Sequence, residues 1–142
     1  MKIRALKLSS DIDHVLDRVL EVNDSNQINN LVMFNLIGNI NSRITNLKDL
    51  TKLNKLYLND NEILKIVNIC NFILLKELDL QSNQIQNTEN LNNVDNLELL
   101  NILYNQISKL KDLFESTNLK KLDLVINCIE KIGGCKNFIK IE

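Results

Sequence analysis

Apolar and polar positions along this chain recur at a fixed stride. Asn39, Asn61, Asn83, Asn105 and Asn127 stand 22 residues apart, without one insertion. Eight residues before each stands leucine: Leu31, Leu53, Leu75, Leu97 and Leu119. Five before are Phe34, Leu56, Leu78, Leu100 and Leu122, and three before are Leu36, Leu58, Leu80, Ile102 and Leu124. Two after come Ile63, Ile85, Ile107 and Ile129, with Asn41 as the exception. Five after are Ile44, Ile66, Thr88, Leu110 and Ile132, and eight after are Leu47, Ile69, Leu91, Leu113 and Cys135. Five copies at one period are the signature of a repeat architecture.

The spacing within one copy predicts its local structure. Apolar residues two apart put both side chains on one face of a short strand, and the residues between them on the other. The later apolar positions, three apart, suit a short helical or 3-10 segment. One 22-residue unit cannot bury its apolar face alone, so neighbours must stack and the array is stabilised cooperatively. The Asn falls where the strand turns away. Its amide donates and accepts, so it can satisfy backbone groups of adjacent turns that leave the sheet.

The pattern L-x-x-L-x-L-x-x-N-x-I-x-x-I-x-x-L resembles the leucine-rich repeat. Within that family it is similar to the 22-residue class typified by the protein phosphatase-1 regulatory subunit. The resemblance covers essentially the whole chain. It implies an α/β solenoid of about six repeats with right-handed curvature, a concave parallel sheet and short helical or 3-10 convex segments.

The expected organisation is one domain over residues 1–142, with a degenerate first repeat in 1–30 and five regular repeats in 31–140. In the first repeat Ile3, Leu6 and Leu8 precede Asp11 at the standard spacings, which predicts a strand over 4–9. The gap from Asp11 to Asn39 is six residues longer than standard and fits a helix. Ser10 is placed to cap it, Asp13 to complete a capping box, and Ile12, Val15, Leu16, Val19 and Leu20 to form its apolar stripe. Gly133-Gly134 is expected to end the last convex segment. Phe138 and Ile141 fall where a further unit would begin. Solenoid ends need polar caps, and none is evident at either end, so a partner is expected to cover one or both.

Composition narrows the function. Of 142 residues, 17 are Lys or Arg and 18 Asp or Glu, a net charge of -1, so no overall field attracts nucleic acid or an anionic membrane. No apolar run approaches the roughly 18 residues of a membrane span. The start lacks the continuous apolar stretch of a secretory signal, which points to an intracellular protein, cytoplasmic or nuclear. Cys70, Cys128 and Cys135 are odd in number and contain no C-x-x-C pair, against a disulfide framework or a zinc knuckle. The single histidine, His14, lies off the helix stripe, and no nucleophile–base pair or Gly-rich phosphate loop stands out. The expectation is a protein without catalytic, metal or cofactor residues and without a small-molecule substrate.

What remains is the face presented by the strand residues between the leucines. It carries Lys55, Asn59, Glu77, Asp79, Gln81, Asn101, Lys121 and Asp123, but also apolar residues where burial does not demand them. Met33, Ile37 and Tyr57 form one expected cluster, and Leu99, Leu103, Tyr104, Val125 and Ile126 another. Single exposed hydrophobes are ordinary, whereas apolar anchors rimmed by charge are the composition of protein interfaces. The expected function is a protein-interaction module that scaffolds a larger assembly through its concave face and ends. The family resemblance implies two alternatives. One is an accessory ribonucleoprotein subunit of a spliceosomal or ribosomal particle, docking by basic ends. The other is a phosphatase regulatory subunit, although the chain lacks Trp and is shorter than such regulators. Asn39, Asn61, Asn83, Asn105 and Asn127 are the expected structural residues.

Overall fold

A computed structural model describes residues 5–7, 32–39, 42–44, 47, 49–110, 113 and 118–130. The expected first helix with His14, and the segment with Gly133-Gly134, Cys135, Phe138 and Ile141, lie outside the described residues.

The inward leucines and their outward neighbours form six parallel strands: β1 (Ala5–Lys7), β2 (Met33–Asn35), β3 (Lys55–Tyr57), β4 (Glu77–Asp79), β5 (Leu99–Asn101) and β6 (Lys121–Asp123). They make one sheet in strict chain order. Met33 pairs with Lys55, Lys55 with Glu77, Glu77 with Leu99 and Leu99 with Lys121, so each step advances the chain by one period. Ala5 pairs with Met33, which is the longer first gap expected from the displaced Asp11. β1 lies inside the expected 4–9 stretch.

The ladder runs past the assigned strands. The Leu36, Leu58, Leu80 and Ile102 N–H groups donate to the carbonyls of Tyr57, Asp79, Asn101 and Asp123 at 2.8–3.0 Å. Two residues on, the Gly38, Asp60, Ser82 and Tyr104 N–H groups do the same to Asn59, Gln81, Leu103 and Val125. The inner face is fully apolar: Phe34, Leu36, Leu56, Leu58, Leu78, Leu80, Leu100 and Ile102 are all at most 1% exposed. At β6 the seal loosens, with Leu122 at 6% and Leu124 only partly buried.

On the side opposite the sheet the expected short helical or 3-10 segments are few. Among the described residues Leu91–Asn93 forms a 3-10 turn, and Leu113 also lies in 3-10 geometry. The other coils use consecutive turns: Leu50 N–H donates to Leu47 and Leu53 to Leu50, repeated as Phe72 to Ile69 and Leu75 to Phe72. The cause is a three-residue apolar period. Side chains at i and i+3 eclipse in such turns, so Leu47, Leu50 and Leu53, or Ile69, Phe72 and Leu75, all point inward. Leu50, Phe72 and Val94 form a further buried column, eleven residues after Asn39, Asn61 and Asn83.

Candidate protein-binding face

The outward strand residues make the other face of the sheet. Met33, Asn35, Lys55, Tyr57, Glu77, Asp79, Leu99 and Asn101 are half-buried there, Lys121 is exposed and Asp123 half-buried. Parallel neighbours are about 4.8 Å apart, so each side chain leans on its equivalents one period away. The centre is polar. Lys55 Nζ lies 2.6 Å from Glu77 Oε2, and the Tyr57 hydroxyl donates to Glu77 Oε1 at 2.8 Å. Burial pushes the Glu77 carboxyl upward, but the hydrogen bonds from Lys55 and Tyr57 and the Lys55 charge outweigh it and hold the group below its usual value. Asp79 moves the other way: burial raises it, and the hydrogen bonds from the Gln81 backbone and the Asn101 side chain only partly offset that. Asn101 Nδ2 also donates to Gln81 Oε1 at 3.1 Å.

Four outward side chains do more than face solvent. Asn35, Asp79, Asn101 and Asp123 each accept, through Oδ1, the N–H of the residue two further on, at 3.0–3.2 Å. Such Asx turns bend the chain at the strand's end. The signal in the sequence is the recurrence of Asn or Asp four residues before the repeat Asn, at Asn35, Asp79, Asn101 and Asp123.

The expected structural asparagines act as amide staples between coils. Asn83 Nδ2 donates to the carbonyls of Leu58, Leu80 and Gln81 at 3.0–3.1 Å, while its Oδ1 accepts the Ile63 N–H at 2.9 Å. Asn61, Asn105 and Asn127 likewise reach a carbonyl 25 positions back, and Asn105 and Asn127 take the N–H groups of Ile85 and Ile107. Asn39 donates to Leu36 and Ile37. The first four are buried, and Asn127 is half-buried. Further asparagines repeat the device elsewhere: Asn68 bonds the Ile44 carbonyl and Asn90 that of Ile66, both at 2.7 Å.

The residue before each staple has positive φ: Gly38 at 72°, Asp60 at 58°, Ser82 at 53°, Tyr104 at 53° and Ile126 at 55°. Gly, and to a lesser degree Asp, tolerate this region, whereas a β-branched or bulky residue there is strained. The two strained apolar residues are also two of the most exposed: Tyr104 is 50% and Ile126 55% accessible, beside Val125 at 61%. The Tyr104 N–H donates to Val125 and the Asn105 N–H to Ile126, so Leu103, Tyr104, Val125 and Ile126 lie side by side where the chain leaves the sheet.

The expected clusters are thus regrouped. Leu99 pairs with Lys121 at the far end of β5, and the polar Asn101–Asp123 pair separates it from Leu103 and Val125. Met33 pairs with Lys55, and the Asn35–Tyr57 pair stands between it and Ile37. Tyr57 is tied into the polar centre through Glu77. Among the described residues no group of three His, Cys, Asp or Glu is arranged to hold a metal, and no helix is long and apolar enough to cross a membrane. Cys70 and Cys128 are free and exposed.

No family model matches this chain, and no curated protein matches it. Solved structures do. An internalin from Listeria monocytogenes is 28% identical over 72% of this chain, with a TM-score of 0.66. A leucine-rich-repeat protein from Leptospira interrogans is 24% identical over 73%, with a TM-score of 0.65. TLR13, solved in complex with ssRNA13, is 26% identical over 75%, with a TM-score of 0.69. The chain spans only 30%, 28% and 16% of those three chains. Sheet order, period, buried leucines and asparagine staples together with these likenesses establish the fold: the chain is a leucine-rich-repeat solenoid.

Proposed function

We propose that this chain is a non-catalytic protein-interaction module, and that its partner sits on the apolar ridge formed by Leu103, Tyr104, Val125 and Ile126. The carrying observation is the coincidence of exposure and backbone strain at Tyr104 and Ile126. At the same position other coils use Gly, Asp or Ser. Strained, exposed apolar residues bring no stability of their own, and such residues concentrate where a ligand is gripped. Covering half-exposed side chains of this size returns roughly 1 kcal/mol each, at ~25 cal/mol/Å². The polar centre around Glu77 and the separate apolar side chains of Met33 and Ile37 form the rest of the contact surface.

Direct RNA binding through this face is less well supported. Its acids Glu77, Asp79 and Asp123 offset its lysines, Lys55 is engaged by Glu77, and the hydroxyl of Tyr57 is engaged as well. Nucleic-acid tracks need unopposed cations with aromatic stacking platforms.

Affinity capture with quantitative mass spectrometry tests the proposal. Tyr104→Ala with Val125→Asp is expected to lose the partners held by the unaltered chain, with an unchanged circular dichroism spectrum and no sensitivity to RNase. Retention of every partner by that variant would overturn it.

A further inference from the structure

A second surface, away from the sheet, carries features that the ridge does not explain. The segments that follow Asn39 and Asn61 lie against each other: the Leu64 N–H donates to the Ser42 carbonyl at 3.4 Å, and Asn68 Nδ2 to the Ile44 carbonyl at 2.7 Å. Between them runs a groove of about 470 Å³ lined by Ser42, Arg43, Leu64, Lys65, Val67 and Asn68. Its size falls in the range of roughly 300–1,000 Å³ typical of ligand pockets.

Arg43 and Lys65 occupy the same register position in successive coils, four residues after the repeat Asn. Like charges so placed repel. Elsewhere the solenoid opposes its stacked lysines with carboxylates: Glu77 receives Lys55, and Glu98 receives both Lys76 and Lys120. Among the described residues Arg43 and Lys65 have no such partner, and no acid lines the groove. This pair is not a by-product of a basic chain, since the net charge is -1. The wall beside them is apolar, with Leu64 46% exposed and Val67 half-buried.

We propose that this groove binds an acidic peptide segment of a partner protein, with carboxylates on Arg43 and Lys65 and an adjacent apolar side chain on Leu64 and Val67. A guanidinium fork matches a carboxylate bidentately, and the neighbouring ammonium adds a second point charge. RNA fits less well. The groove contains no aromatic ring for stacking, and Asn87 interrupts the cationic column before Lys109.

The test titrates the full chain with three fluorescein-labelled probes: a peptide of alternating Glu and Leu, its Lys and Leu counterpart, and decauridylate. Amide chemical shifts locate any contact. Expected is binding of the Glu peptide alone, with shifts at Ser42, Leu64 and Asn68 and weakening as salt is raised. Arg43→Glu with Lys65→Glu should weaken it at least ~tenfold, while Lys120→Glu leaves it unchanged. Should the double reversal unfold the chain, Arg43→Gln with Lys65→Gln replaces it, and Leu64→Ser gives an independent reading. Equal binding of the Lys peptide, undiminished binding by the folded variants, tighter binding of decauridylate at the same amides, or no binding of the Glu peptide would each overturn the proposal.

Discussion

Replacing Asn83 by alanine should orphan one backbone group, and the structure says which. Asn83 makes four hydrogen bonds, but the three carbonyls it serves have second donors. Leu58 also receives Asn61 Nδ2, Leu80 receives Asn105 Nδ2, and Gln81 receives the Asp60 N–H. The Ile63 N–H, held by Asn83 Oδ1 at 2.9 Å in a buried setting, is left with nothing. An unsatisfied buried donor costs about 1–3 kcal/mol, so a loss of about 2 kcal/mol is expected for Asn83→Ala. At an m-value of about 2 kcal/mol/M the urea midpoint falls by about 1 M. Since repeat arrays lose cooperativity locally, amide exchange is the sharper assay: Ile63 should lose protection by about 30-fold, with Ile107 affected far less. Asn127→Ala is the internal comparison. Asn127 is half-buried, so water can reach the freed Ile107 N–H and the cost should stay near ~1 kcal/mol. An Asn83→Ala loss below ~0.5 kcal/mol, or an Asn127→Ala loss as large as it, would refute the staple reasoning.

Ile126→Asn should stabilise the chain by about 1 kcal/mol, because Asn accepts positive φ and little apolar burial is lost at a 55% exposed site; the same change should weaken partner capture, read by thermal melts and pull-down together. Phe72→Ala should cost about 3–5 kcal/mol, since Phe72 is fully buried, while Ile73→Ala beside it, 62% exposed, should cost under ~0.5 kcal/mol by urea titration. Asp79→Asn should raise stability at neutral pH. The folded carboxyl sits above its ordinary 3.8, so the unaltered chain loses stability as pH rises through that window, and the amide keeps the acceptor for Gln81. The gain should vanish below the ordinary value, and a gain that persists at strongly acid pH would contradict the burial account. Glu77 has the opposite sign: its depressed carboxyl contributes stability above its ordinary 4.5 that is lost as pH falls through the folded value, so Glu77→Gln should flatten the acid limb of a pH-stability curve.

The period by itself determined the architecture of this protein. A 22-residue stride in leucine and asparagine admits one way of burying the leucines, and the observed register of Met33, Lys55, Glu77, Leu99 and Lys121 follows it strand by strand. The role of the asparagines was legible too, because a buried amide at a turn must find backbone partners. Whether each expected helical or 3-10 segment closes as a helix or as successive turns was not, since both tolerate apolar residues three apart. The binding surface was legible in composition but not in grouping. Alternation along a strand says which residues leave the core, yet only the cross-strand register separates Leu99 from Leu103, engages Tyr57 with Glu77, and sets Tyr104 and Ile126 at positive φ on one exposed ridge. Burial is decided along the chain by a local period, whereas what an exposed side chain meets is decided by residues a whole coil away.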